Sequence, residues 1–384
     1  MIFRHFTFAL FFVLFFHLMP AAASQPKAWA YLGWWLPDSW RQAPLGELDR
    51  LLFFDLKVNA NGKITERHGW PEKWVDLRLA VKQNNIPLDL TLTLFDPLSF
   101  DQLFASTEST QHLLDEAVLL ASQEGVAGLQ LDFEIYSFIR PETITRYRGF
   151  VIELSKRLRL QPVPKNLSVF FPMGAESQLY DAATLAKVDQ LVLQGYDAHW
   201  KSGKTAGPVA PLNGDEAVTW KKAVALGQSL GVSKERLLLG FPLYGYEWQV
   251  KGPKLRSDTV GEGLFTTFAP IPVELFPDVR LNVQDQVKQY GASYDPVSAS
   301  SYYQYRKNNG QFFEGWFEDW WSLRQKSNYL VDEKLGGIAF FLLGYDDGLL
   351  LDYFLRFRGR KICQSVPIES GKPVTPHAKA CSNY

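Results

Sequence analysis

Cysteine and methionine are scarce in this chain, with 2 Cys and 3 Met among 384 residues, and neither sign of charge dominates. The 40 Lys+Arg stand against 41 Asp+Glu, a formal net charge of -1. A nucleic-acid binder needs an excess of Lys and Arg to neutralise phosphates, so that class is excluded. The 6 His include no His-x-x-x-His pair, and neither Cys363 nor Cys381 has the spacing of a metal site. No metal and no cofactor is therefore expected. Charged residues are only 21% against 46% hydrophobic, which excludes disorder as the main state. No Gly-x-Gly-x-x-Gly turn follows the first strand, which argues against an open, doubly wound sheet. No internal repeat and no low-complexity tract is present. Aromatic residues are what the chain has in plenty: 12 Trp, 16 Tyr and 28 Phe. Trp faces serve as stacking surfaces for sugar rings, although a large aromatic core explains the same composition.

The N-terminus reads as a targeting segment. Arg4 and His5 precede an apolar run from Phe6 to Phe16, and Pro20-Ala21-Ala22-Ala23-Ser24 follows. That order is a charged n-region, a short h-region and a small-residue cleavage site. The run is about half the length a membrane-spanning helix needs. Residues 1–23 are expected to be a signal peptide cleaved after Ala23 (or Ser24), leaving an exported, secreted or periplasmic chain with no membrane span. No Cys lies near the cleavage site to carry a bacterial lipid anchor. Cys363 and Cys381 fall in a polar tail, residues 360–384. In an oxidising compartment they would pair across a loop of under about 20 residues, worth about 3 kcal/mol in the chain-entropy picture. Two unpaired thiols are the alternative.

Between signal and tail, β-rich runs alternate with amphipathic helical stretches, the mark of a parallel sheet wound with helices. Strands are expected at Ala28–Trp35, Leu51–Phe54, Leu88–Phe95, Gly128–Ile135, Leu167–Pro172, Gln190–Tyr196, Leu237–Tyr244 and Gly337–Leu343. Helices are expected at Thr110–Gln123, Pro141–Leu158 and Asp215–Leu230, among others. Eight strands with helices between them fit a (β/α)8 TIM barrel, an α/β fold, over residues 24–359. The stretch 249–316 breaks the rhythm and reads as a small α+β insertion after strand seven, on the face that carries barrel active sites.

Chemistry concentrates at the end of the fourth strand. In Gly128-Leu-Gln-Leu-Asp132-Phe-Glu134-Ile-Tyr136 the period of two sends Gln130, Asp132 and Glu134 into the barrel and the apolar residues toward the helices. Carboxylates two residues apart lie about 7 Å apart at Cα. Their repulsion raises the pKa of at least one, which suits a general acid.

Gly128–Glu134 resembles the strand-four motif of family-18 glycoside hydrolases, Asp-Gly-x-Asp-x-Asp-Trp-Glu. Other landmarks follow in order. Val188-Asp189 with Gln194-Gly195-Tyr196-Asp197 and His199 is similar to the strand-six pattern. Leu239–Gly245 with Trp248 is similar to the strand-seven element. Phe317-Glu318-Asp319 with Ser322 and Lys326 resembles the stretch closing the family's insertion, and Gly336-Gly337-Ile338 the last strand. The first motif Asp is Ala127 here, the inner Asp is Gln130, the strand-six Met is Gln194 and the last-strand Trp is Phe341. Thr93-Leu94-Phe95-Asp96 replaces the strand-three Ser-x-Gly-Gly. These differences mark a divergent branch.

The resemblance implies a substrate-assisted, retaining hydrolase, in which the sugar's own N-acetyl group is the nucleophile. Glu134 would be the general acid and then base, Asp132 would align the acetamido N–H, and Tyr196 would donate to the acetamido oxygen. Asp197, Gln130, Gln194, Tyr244, Trp248, Trp35 and Phe341 would bind substrate, and His199 would be structural. The partner implied is an N-acetylhexosamine-containing polysaccharide or oligosaccharide, met by a monomer. Two alternatives stand: a catalytically silent glycan-binding protein on the same barrel, and a retaining glycosidase using Asp132 or another carboxylate as nucleophile on a non-acetylated sugar.

Overall fold

The computed structural model describes residues 25–271, 281–364 and 379–380. The expected signal peptide and Cys381 lie outside them. In chain order come β1 (Lys27–Gly33), β2 (Arg50–Val58), β3 (Ile64–Glu66), β4 (Leu88–Leu94), β5 (Val126–Phe133), β6 (Asn166–Phe171), β7 (Gln190–Leu193) and β8 (Leu237–Pro242). Then follow β9 (Tyr244–Val250), β10 (Leu264–Thr267), β11 (Leu281–Asn282), β12 (Ser293–Asp295), β13 (Ser300–Arg306) and β14 (Phe312–Phe317). Last are β15 (Gly337–Phe341), β16 (Ile362–Gln364) and β17 (Lys379–Ala380).

β1, β2, β4, β5, β6, β7, β8 and β15 pair in parallel, and β15 returns to β1 to close the ring. The (β/α)8 barrel expected from the alternating pattern is thus the fold. Its strands bury both faces, as parallel strands under helices must: every residue of β4 and β8 is buried. The helix 107–121 starts at the Ser106 cap, whose hydroxyl accepts from the Ser109 N–H, and buries Leu113, Leu114, Ala117 and Leu120. The helix 141–159 opens on Pro141 and buries Tyr147, Phe150, Val151, Leu154 and Leu158. The third expected helix begins later, at Trp220, because Thr219 caps it by accepting from the Lys222 N–H.

The insertion also starts elsewhere than expected. Strand seven stops at Pro242, and after Leu243 alone the chain enters β9, so the second sheet begins at Tyr244 rather than near 249. β9 sits in the middle of that sheet, ordered β11-β10-β9-β14-β13-β12. Gly245, the second residue of β9, lets β14 pack close beside it, since a Cβ there would sit 2.2 Å from the Trp316 carbonyl oxygen. A buried clamp then fastens the sheet to the helix 320–333. The Lys326 ammonium donates to Glu318 and to the Ala299 carbonyl, while Asp319 caps the helix through the Ser322 N–H and accepts from the Ser301 hydroxyl. Lys326 and Glu318 pair as ions and Asp319 is held by hydrogen bonds, conditions under which such burial is tolerable. Beyond the barrel β16 and β17 pair antiparallel, and Cys363 in β16 is disulfide-bonded. No helix among the described residues is long and apolar enough to cross a membrane.

Candidate active site

The C-terminal mouth of the barrel gathers most of the expected residues. Asp132 lies one residue before the end of β5, 4% exposed, opposite Thr93 of β4 in the sheet register. Glu134 follows just past the strand end, half-buried. Burial, the Glu134 charge and the Asp55 charge hold the Asp132 carboxyl well above the usual carboxylate range. The Tyr136 hydroxyl donates to Glu134 Oε2 although the residue as a whole is 60% exposed.

Three aromatic rings wall the centre. Tyr196 is buried and stacks on Phe341, centroids 6.2 Å apart, and meets Tyr244 edge-on at 6.1 Å. Phe341 in turn packs against Tyr31 and Phe54, each at 5.3 Å. Burial raises the Tyr196 and Tyr31 hydroxyls well above their ordinary range, so both remain proton donors through alkaline pH. Asp197 follows in the left-handed backbone region at φ 60, which Asp tolerates better than most residues. It accepts from the Tyr244 hydroxyl at 2.7 Å, and burial pushes its carboxyl up to about 6 against the pull of that bond.

Other expected residues take different places. Trp248 is 0% exposed in the central strand of the insertion sheet and donates Nε1–H to the Lys201 carbonyl. It offers no face to a sugar, so its assignment as a substrate platform is corrected to a core role. Gln130 is also 0% exposed, one pleat beneath Asp132, and accepts from the Thr91 hydroxyl at 3.4 Å. It is too deep to touch substrate, and its assignment is corrected to that of a residue under the site. Asp132 Oδ1 makes no hydrogen bond among the described residues. Gln194 spends its carbonyl on the Met173 N–H at 2.7 Å. Trp35 is half-buried and donates to the Tyr345 hydroxyl, whereas its neighbour Trp34 is the more open indole at 38%. His199 binds the Thr205 carbonyl through Nδ1, in keeping with a structural part.

Sequence reasoning missed Asp55, which accepts from the Thr93 hydroxyl behind Asp132. It also missed Tyr31, Tyr136 and the stacked pair Trp34–His68, centroids 4.0 Å apart. Among the described residues no group of three or more His, Cys, Asp or Glu is placed to hold a metal ion.

With this geometry in hand, the comparisons with known proteins agree on one family. The sequence profile of the Glycosyl hydrolases family 18 matches residues 44–346. The chain is 23% identical over 316 residues to the cortical fragment-lytic enzyme of Bacillus anthracis, covering 77% of this chain and 65% of that one. It is 23% identical over 251 residues to a class V chitinase of Arabidopsis thaliana, covering 58% and 64%. This chain thus spans less than two thirds of either relative's length. Among solved structures, a family GH18 chitinase from Cycas revoluta superposes with a TM-score of 0.71 at 18% identity, over 86% of this chain and 98% of that one. The Bacillus cereus spore cortex-lytic enzyme SleL does so with a TM-score of 0.67 at 19% identity, over 86% and 75%.

Proposed function

We propose, from the premise that this chain belongs to family 18 of the glycosyl hydrolases, that it hydrolyses β-linkages of N-acetylhexosamine-containing glycans with the substrate's acetamide as nucleophile. One observation carries the reading. A buried Asp132, held toward its protonated form, stands on the same strand as a half-open Glu134 whose carboxylate is already oriented by a hydrogen bond.

In the first step Glu134 gives its proton to the glycosidic oxygen as the C1–O bond breaks, and the acetamido carbonyl oxygen closes on C1. Asp132 accepts from the acetamido N–H through its carbonyl oxygen, which aligns the acetamido carbonyl on C1. The Tyr196 hydroxyl, a donor at every working pH, steadies the same acetamide. In the second step Glu134, now a carboxylate, takes a proton from water as the water oxygen attacks C1 and the ring reopens. Two displacements at one carbon retain its configuration.

The names of the relatives, a cortical fragment-lytic enzyme and a chitinase, support a glycan as substrate. A catalytic acid at the same place in a silent binder would have no work to do, which is why the reading is of an enzyme. The chain works as an exported monomer on this reading. N-terminal sequencing of the protein recovered outside the cytoplasm should begin at Ser24 or Gln25.

The deciding experiment compares a fluorogenic N-acetylglucosamine oligosaccharide with its de-N-acetylated counterpart. Turnover of the first and none of the second is expected. Equal turnover of both would replace the acetamide by a protein nucleophile, and binding of the first without turnover at any pH would end the enzyme reading.

A further inference from the structure

Beside the reaction centre, on the β1–β2 side of the mouth, lies a second cleft of about 420 Å³ lined by Trp34, Pro37, His68, Gly69, Lys73 and Trp74. Its volume falls within the range of small-molecule sites and suffices for one substituted sugar ring. It adjoins the chemistry through packed side chains. Trp34 meets Trp35 edge-on at 5.6 Å, Trp35 meets Phe54, and Phe54 packs on Phe341 over the site. His68 Nε2 lies 3.5 Å from Asp55 Oδ1, and Asp55 holds Thr93 behind Asp132.

The lining is built rather than incidental. His68 takes the left-handed backbone conformation at φ 48, and its ring stacks on Trp34 with the planes 3° apart. Its carbonyl accepts from the Trp74 indole at 3.0 Å, which fixes the opposite wall. Gly69, at φ +80, leaves room for the Lys73 stem, because a Cβ there would stand 2.5 Å from Lys73 Cδ.

Charge distinguishes this cleft from a neutral sugar site. Of the acidic side chains near it in sequence, Glu66 is engaged with Lys57 at 2.8 Å and Asp38 and Asp76 with Arg41 at 2.8 and 3.0 Å, while the exposed Glu72 beside Lys73 is not part of the cleft's lining. Burial lowers the His68 pKa and keeps that imidazole neutral near pH 7. Lys73 is exposed, and its ammonium forms no ion pair among the described residues. The cleft therefore offers an indole face, apolar walls and a single unneutralised cation.

We propose that this cleft is a subsite for a pyranose unit carrying a carboxylate, on the same glycan chain whose neighbouring linkage reaches Glu134. The ring's C–H face lies on Trp34, as apolar sugar faces do on electron-rich indoles, and the carboxylate meets Lys73. This inference rests on the function proposed above and narrows its substrate class.

The test titrates the Glu134→Gln protein, which binds without cutting, with two β-linked N-acetylglucosamine oligosaccharides that differ only in one O-linked carboxyalkyl group. At low salt the carboxylated ligand should bind about three- to fivefold more tightly, the worth of one solvent-exposed ion pair. Adding Lys73→Gln should erase that preference, and Lys73→Arg should retain it. Equal affinities in the parent protein, or a preference that survives Lys73→Gln, would overturn the subsite. Binding of both ligands with no hydrolysis of either by the wild-type chain would overturn the proposed reaction and leave the subsite standing.

Discussion

The Tyr136 hydroxyl donates to Oε2 of Glu134 from the loop that leaves β5, so the side chain assigned as the acid is held by its own near neighbour. A donated O–H favours the charged form of a carboxylate. Tyr136→Phe should therefore leave the acid protonated to higher pH and move the basic limb of the kcat profile upward. It should also lower kcat at its optimum, because the carboxyl loses its orientation. A limb that stays in place or moves downward would show that the bond has no part in catalysis.

Glu134→Gln keeps the shape of the side chain and removes its proton. Loss of a positioned general acid costs roughly 10²–10⁴-fold, and here the same group serves both steps, so the upper end is expected. Binding should change little, since Glu134 stands at the strand mouth, half-open, and is not needed to shape the pocket. Steady-state kinetics with calorimetric binding checks both halves of the statement. Turnover close to wild type would remove Glu134 from the mechanism.

Asp132 exchanges stability for chemistry. Its folded carboxyl sits well above the unfolded value because it is buried beside two other carboxylates. A raised acid favours the folded state only while protonated. As pH climbs past about 4, the unfolded chain ionises and the folded one resists, so stability is lost through that window. Asp132→Asn cannot titrate. Its melting temperature relative to wild type should rise as pH climbs above about 4, until the folded carboxyl itself ionises, while activity is lost, a pattern seen where function strains a fold. A difference that is flat or shrinks with pH would refute the account.

Much of this was legible before any coordinates, and the exceptions have physical causes. Asp132 and Glu134 were readable because β5 keeps an unbroken period of two, so sequence spacing alone put both at the barrel mouth. On β2 the pairing with β4 slips between Phe53 and Leu56. That irregularity turns both Phe54, against Phe341, and Asp55, against Thr93, toward the interior. Strict alternation would admit only one of them, and Asp55 was missed. Trp248 was misjudged for a different reason. A Trp past a strand end looks like a rim residue until β9 is seen in the centre of a second sheet, with Gly263 packed against its indole. Trp34 and His68 are distant in sequence and meet only because the left-handed turn at His68 brings the rings face to face.

Asp197 should report on pH through Tyr244. Burial sets its carboxyl at about 6, and the Tyr244 hydroxyl at 2.7 Å pulls it downward. Tyr244→Phe removes the pull, so the Asp197 inflection should move above 6. Carbon-13 NMR of the labelled carboxyl gives the inflection directly, and the pH profile of KM should move with it if the Asp197 charge contacts substrate. An inflection that falls in the variant would mean that the Tyr244 hydroxyl does not stabilise the Asp197 charge.

Gly240 tests whether Tyr196 acts through its hydroxyl or merely fills space. A Cβ at Gly240 of β8 would stand 2.6 Å from Tyr196 Cε1 and 3.2 Å from the Leu193 carbonyl oxygen. The tyrosine has little freedom to yield, since Phe170, Tyr244 and Phe341 pack around its ring. Gly240→Ala should cost about 1–3 kcal/mol of stability through overpacking. It should also cost about 10²-fold in kcat if the displaced hydroxyl had been aligned on the acetamide. Stability and activity are separated by a double-mutant cycle. In a Tyr196→Phe background the ring and its clash remain but the hydroxyl is gone, so Gly240→Ala should destabilise as before while adding little further loss of kcat. Additive losses in kcat would mean that the alanine damages the site by another route, and a Tyr196→Phe variant with near wild-type kcat would mean that Tyr196 does not steady the reacting group.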